Sequence, residues 1–318
     1  MRFLFVMDPV AAIDIDADST FVMMLESQSR GHRVDWALMA SLALDGGVPK
    51  AKAQRLELRR VRGDHFSEGP LEAVRLDDYD AIFMRKDPPF DVDFHLATLV
   101  LDQTDRMKTV LVNEPAGLRD FNEKLAAFMW AEFMPPSMAT ADRERIRAFL
   151  AEHGECIVKP LLNAGGEGII RLGRDDKNTG SVLDLLTGFG RRMIEVQKFV
   201  PEVSQGDKRI ILVDGEAIGA INRVPAADDN RANMHVGGRA EKVGLSERDR
   251  AIVQALGPEL RRRGLVLVGL DVIGGFLTEV NVTSPTGLQE LARFDGVKGE
   301  KQLIDWVEAR RATLSHKT

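Results

Sequence analysis

Two acids and an amide near the C-terminus, Asp271, Glu279 and Asn281, stand inside runs that otherwise read as buried strands, Leu265 to Ile273 and Phe276 to Val282. Oxygen-bearing side chains inside apolar strands lose hydration, so they need partners. The runs are leucine-rich and β-branched and read as a hairpin turning at Gly274-Gly275. Glu279 and Asn281 are two apart and share a face. A two-residue turn sets Asp271 opposite Thr278, with Glu279 on the other face. A three-residue loop over Gly274 to Phe276 sets Asp271 opposite Glu279, and this register is expected because it alone makes one cluster. Facing carboxylates repel unless a cation lies between them. Two carboxylates and an amide oxygen suit Mg²⁺, or Mn²⁺ in its place, with water and phosphate completing the shell. The other reading is that each acid pairs with an Arg or Lys on a solvated sheet face.

A second constellation is Lys159, at the end of the strand-like run Cys156 to Lys159, followed by a loop containing Asn163, Gly165, Gly166 and Gly168. Glycines there let backbone N–H groups turn toward an anion, and Lys159 would reach phosphate oxygens as a point charge. The loop lacks the Gly-Lys-Ser/Thr ending of a Walker A loop and the Gly-x-Gly-x-x-Gly of a dinucleotide turn. A plain β-hairpin turn therefore remains open as its reading.

The elements that must position these residues belong to a chain of 318 residues, enough for about two domains. With 44% hydrophobic and 29% charged residues it reads as an ordinary globular protein. No uninterrupted apolar stretch approaches the roughly 18 residues of a membrane span. The opening run Arg2 to Pro9 reads as a strand, not a secretory signal, so a cytoplasmic location is expected, with no membrane partner. A net charge of −6 argues against a general nucleic-acid surface. The single cysteine, Cys156, lies in a strand-like run and reads as a buried structural thiol. The six histidines show no paired ligand spacing.

The first third alternates strand and helix. Strands are expected at Phe3 to Met7, Val34 to Leu38, Ala81 to Arg85 and Thr109 to Val112, with helices after Ser19 and over Asp93 to Met107. That pattern predicts a parallel α/β sheet wound on both faces, with ligands at strand C-termini, where Met7-Asp8-Pro9 and Met84 to Pro89 fall. From Asn122 the pattern becomes α+β: helices at Asn122 to Ala131, Asp142 to His153 and Ser181 to Leu186, and strands at Cys156 to Lys159, Ile169 to Leu172 and Met193 to Phe199. Strands Arg209 to Val213 and Glu216 to Asn222 follow, joined at Asp214-Gly215. A long polar segment, Val224 to Lys242, reads as a functional loop. The helix Ser246 to Arg263, the acid-bearing hairpin and two further helices close the chain.

Lysine at a strand end, a glycine flap, the strand Gln197-Lys198-Phe199-Val200, the pair Lys208-Arg209 and a hairpin ending in Glu279-x-Asn281 occur in the order of the ATP-grasp superfamily. Within it the chain resembles the bacterial glutathione synthetases. The matching segments are Val6 to Pro9, Met84 to Asp91, Leu118 to Lys124, Gly206 to Arg209, Val213 to Glu216 and Val268 to Asp271 through Thr278 to Thr286, spanning nearly the whole length.

The resemblance implies an N-terminal parallel α/β domain over 1–121 and a two-lobed α+β ATP-grasp domain, its small lobe 122–200 and its large lobe 201–318, with a lid at 224–242. It implies that Lys124 and Lys159 hold ATP phosphates beside the flap glycines Gly165 and Gly166, that Gln197, Lys198, Phe199 and Val200 read adenine through their backbone, and that Asp207 meets the ribose. Asp271, Glu279 and Asn281 match the magnesium ligands. Arg209, with Arg223 and Arg231, is the expected cation set at the transferring phosphoryl group and the substrate carboxylates. Arg85, Asp87, Arg239, Thr283, Ser284 and Thr286 are expected on the substrate side. The implied reaction joins γ-glutamylcysteine to glycine through an acyl phosphate, in a homotetramer. A related carboxylate–amine ligase with another acceptor, and a non-catalytic nucleotide-binding regulator, are the alternatives. Two positions depart from the family pattern: Glu167 puts a negative charge in the flap, where it should point outward or meet a base, and the lid Asp228 to His235 is poor in glycine.

Overall fold

The computed structural model describes residues 1–225 and 239–315. Strand Arg2–Val6 lies between Arg33–Ala37 and Ala81–Met84, and Val110–Val112 extends the far side, all parallel. Alternation along the central strand serves two cores. Phe3 and Phe5 pack with helix Ser19–Ser29 and the C-terminal helix Gly299–Ser315, while Leu4 and Val6 pack with helix Val92–Leu101. Asp18 and Asp91 start the two N-terminal helices by accepting from Phe21 N and Phe94 N at 2.7 and 2.9 Å.

This parallel centre is part of an eight-stranded mixed sheet. Strand Val48–Leu58 adds antiparallel to Arg33–Ala37 and carries the short strands Ala43–Asp45, Phe66–Glu68 and Glu72–Arg75. The sequence pattern misses this ribbon because the inward residues at its centre are small: buried Ala51 and Ala53 alternate with outward Lys50 and Lys52, and larger Leu56 and Leu58 follow only at its end. Helix Val92–Leu101 also stops before the expected Met107, where Asp105 N donates to Asp77 Oδ1 and Asp105 Oδ1 accepts from Met107 N.

Two antiparallel sheets follow. The four-stranded one runs in the order Ile170–Gly173, Glu155–Pro160, Ile194–Lys198, Ser137–Thr140, with helices Arg143–His153 and Thr179–Thr187 on one face and Cys156 in that core. The five-stranded one runs Arg239–Lys242, Glu216–Val224, Asp207–Val213, Leu267–Ile273, Phe276–Asn281. Helix Glu247–Arg262, opened by a Ser246–Asp249 capping box, covers one face, and helices Leu288–Asp295 and Gly299–Ser315 cover the other. Both large cores continue from the first sheet into this one. Asn113 stitches them: its Oδ1 accepts from Val266 N and Leu267 N, and its Nδ2 donates to Leu267 O and Val282 O, all within 2.9 Å.

The segment expected as a helix from Asn122 is a 3₁₀ stretch, Leu125–Phe133, broken at Trp130. Asn122 Oδ1 takes the first turn by accepting from both Lys124 N and Leu125 N.

Candidate functional site

The hairpin turns differently from the expectation, and still brings the acids together. Gly274 and Gly275, at φ +58° and +82°, form a two-residue turn with Ile273 paired to Phe276. A bulge then inserts Thr278 between the pairs Val272↔Leu277 and Asp271↔Glu279, so the bulge, and not a three-residue loop, restores the facing register. Thr278 Oγ1 caps the irregularity by donating to Asp271 O at 3.2 Å. Asn281 Nδ2 donates to Asp271 Oδ2 at 3.1 Å, which places all three oxygen-bearing side chains on one face.

Arginines from the neighbouring strands meet this face. Arg209, paired in register with Asp271, donates from Nε and Nη2 to its two carboxylate oxygens at 2.5 and 2.9 Å. Arg223 Nη2 lies 2.9 Å from Asp271 Oδ1 and 2.5 Å from Asp207 Oδ2. Burial alone would raise the Asp271 pKa; Arg209 and Arg223 together hold it well below the usual carboxylate range. Asp207 goes the other way: burial pushes it up to about 6 against the pull of Arg223, and its Oδ1 has no hydrogen-bond partner. Gly269 makes room for Arg209, since a Cβ there would lie 2.8 Å from Arg209 Cδ.

The lysines arrive from the other side. Lys124 Nζ donates to Glu279 Oε1 at 2.8 Å and to Asn163 O at 2.7 Å; burial disfavours its charge, but Glu279 outweighs that and raises its pKa. Lys159, paired in register with Glu195, donates to Gln197 Oε1 at 3.0 Å and lies 3.3 Å from Glu195 Oε2. Glu195 is fully buried, and burial raises its pKa in spite of Lys159. So Asp271 and Glu279 do pair with basic residues, but inside a pocket and not on a solvated sheet face.

That pocket, about 960 Å³ with its open mouth, is lined by Lys124, Lys159, Asp207, Arg209, Asp271, Glu279 and Asn281 on its polar side. Ile157, Ile169, Phe199, Val200, Val203 and Ile273 make an apolar slot suited to a flat heterocycle. Gly165 and Gly166 also line it, and Glu167 beside them is exposed. Gln197 turns its side chain to Lys159, while Lys198 N and Phe199 N are already engaged with Pro136 O and Glu155 O. Among the described residues no three His, Cys, Asp or Glu side chains form a metal group. The donor set is two acids and an amide, which fits a hard cation that takes further oxygens from phosphate and water.

The substrate-side residues lie outside the pocket lining. Arg85 is buried beside the loop that leaves the hairpin, donating to Thr20 Oγ1 and Pro285 O at 3.0 Å, with Nη1 unpartnered. Asp87 N donates to Asp8 Oδ2. Thr283 is bound to Glu123, and Ser284 and Thr286 are half-buried in the same loop. Arg239 is exposed and pairs with Glu241 on an edge strand. Arg231 and most of the expected lid lie outside the described residues. Sequence reasoning missed Glu123, Glu195 and Gly269. The signal for Glu195 was an acid on the inward register of a strand, and for Gly269 a glycine inside a buried one.

The three sheets, with the pocket that a glycine loop, two lysines and the acid-bearing hairpin line together, define an ATP-grasp ligase. The fold agrees with that of solved ATP-grasp structures. D-cycloserine synthetase DcsG matches with a TM-score of 0.68 at 17% identity, over 98% of this chain and 100% of that one. The ATP-grasp ligase PsnB, complexed with minimal precursor, Mg and ADP, matches with a TM-score of 0.59 at 17% identity, over 98% of each chain. The model of the prokaryotic glutathione synthetase N-terminal domain matches residues 1–119, and that of the prokaryotic glutathione synthetase ATP-grasp domain matches 123–296. The chain belongs to the prokaryotic glutathione synthetase family. It is 46% identical to the glutathione synthetase of Rhodopseudomonas palustris, covering 96% of this chain and 97% of that protein, and 43% identical to that of Synechococcus elongatus, covering 97% and 98%.

Proposed function

We propose that the protein joins γ-glutamylcysteine to glycine, converting ATP to ADP and phosphate. The carrying observation is the convergence, in one pocket of a member of this family, of two lysines, a buried arginine and the Asp271–Glu279–Asn281 face. Lys124, Lys159 and the flap glycines hold the nucleotide phosphates, the apolar slot takes the base and Asp207 faces the ribose. Asp271, Glu279 and Asn281 would hold Mg²⁺, which when bound neutralises phosphate charge.

The γ-glutamylcysteine carboxylate attacks the γ-phosphorus and ADP leaves, forming an acyl phosphate. The glycine amine then attacks the acyl carbon, and phosphate and one proton depart as the amide forms. Arg209 and Arg223 steady the charge that builds on the phosphoryl and tetrahedral oxygens, and their pairing with Asp271 keeps both guanidiniums pre-oriented. Arg85, Asp87, Thr283, Ser284 and Thr286 line the approach of the peptide, with Arg231 and Arg239 on the lid side. The division at 121 and 200, a cytoplasmic location and a homotetrameric assembly belong to the same reading. No helix among the described residues is long and apolar enough to cross a membrane.

The test is ADP release by purified protein with ATP and Mg²⁺. Release that requires both γ-glutamylcysteine and glycine is expected, and release unaffected by omitting either one would overturn the assignment. Light scattering checks the tetramer.

A further inference from the structure

The strand Phe276–Asn281 is the edge of its sheet, paired on one side only to Leu267–Ile273. An edge strand is free to shift unless something holds its outer N–H groups. Glu123 holds them. Its carbonyl accepts from Val280 N at 2.9 Å, and its Oε1 accepts from Val282 N at 2.8 Å and from Thr283 N and Oγ1 at 2.9 Å. These contacts grip the backbone on both sides of Asn281. The next residue, Lys124, crosses to Glu279 Oε1.

We infer that Glu123 is a positioning residue that clips the outer edge of the hairpin and so fixes Glu279 and Asn281 for the metal–nucleotide complex. It touches neither reacting group; it acts through the strand that carries two of the three oxygen donors. Oriented ligands depend on such outer contacts, whose loss typically weakens metal affinity by about 10- to 100-fold. The inference rests on the metal-site assignment under Proposed function.

The test uses Mn²⁺ as a paramagnetic probe, titrated by electron paramagnetic resonance into full-length protein saturated with the non-hydrolysable analogue adenylyl imidodiphosphate. Glu123→Ala should weaken Mn²⁺ binding by about tenfold or more, while binding of the metal-free analogue stays within about twofold of the unsubstituted protein, since the metal ligands and not the base slot are disturbed. Glu123→Gln keeps an oxygen acceptor for the same three donors and should restore affinity to near that of the unsubstituted protein. Thr283→Val, which removes one donor at nearly constant shape, should weaken it about fivefold, and this arm stands even where Glu123→Ala does not fold. Unchanged Mn²⁺ affinity in Thr283→Val and Glu123→Ala, or Glu123→Gln as weak as Glu123→Ala, would overturn the clip. Failure of the unsubstituted protein to bind Mn²⁺ with the analogue would instead overturn the metal site itself, and the clip with it.

Discussion

Arg209 and Asp271 face each other across adjacent strands in a two-point contact, Nε to Oδ1 at 2.5 Å and Nη2 to Oδ2 at 2.9 Å, and both are buried. Their order depends on two backbone features neighbouring them: Gly269, which leaves space for the arginine stem, and the Thr278 bulge, which turns Glu279 onto the Asp271 face. The residues proposed as catalytic cation and as metal ligand are thereby built into one unit.

A planar fork cannot be replaced by a point charge at such a contact. Arg209→Lys should lower kcat by about a hundredfold or more, the usual cost of losing one pre-oriented donor to a developing oxyanion. The KM for ATP should change little, because Lys124 and Lys159 remain. Steady-state ADP release checks this, and a kcat within about threefold of the parent would remove Arg209 from the transition state.

Glu279 is the more exposed of the two acids and faces the pocket, so altering it should spare the fold. Glu279→Gln keeps the shape, removes the charge that a divalent cation needs and weakens the grip on Lys124. Turnover should fall below detection while thermal unfolding stays cooperative, since the Gln amide oxygen still accepts from the buried Lys124. Full activity at ordinary Mg²⁺ would refute the metal role.

Long, strongly periodic elements were legible in the sequence: the parallel strands, the helices after Asp142 and Ser246, and the hairpin. Legibility failed where the signal lay outside side-chain pattern. The strand Val48–Leu58 buries alanines over its centre, Ala51 and Ala53, which give only a weak alternation in hydrophobicity before Leu56 and Leu58. The facing of Asp271 and Glu279 was correctly expected from the wrong loop, because a bulge has no signature in composition and a one-residue insertion mimics a longer turn. Glu123 stood beside Lys124 in a recognised segment, yet its role depends on an edge strand about 160 residues away, which only tertiary contact shows.

Asn113 satisfies four backbone groups between the first and the last sheet. Asn113→Ala leaves Val266 N, which is buried, and its neighbours without partners. The expected cost is about 3 kcal/mol or more, at roughly 1 to 3 kcal/mol per buried group left unpaired. Urea denaturation should show a lowered midpoint, with residual activity in the surviving native fraction. Loss of less than about 1 kcal/mol would mean that the two sheets adhere through their apolar cores alone.

Cys156 sits in the apolar core of the four-stranded sheet, and burial, with Glu155 adding to it, pushes its thiol from 9.0 up to about 11. A raised acid pKa favours the folded state fully below the unfolded value, and that contribution disappears as pH climbs through about 11. At pH 8 the folded thiolate should be about a hundredfold scarcer than the unfolded one, two pKa units being two decades. A thiol-reactive disulfide reagent should therefore label native protein at least that much more slowly than urea-unfolded protein. The stability difference between the parent and Cys156→Ala should hold from pH 6 to about 8.5 and shrink above it. Rapid labelling of the native chain at neutral pH would show a thiolate stabilised by its surroundings, which the neighbouring Glu155 charge opposes.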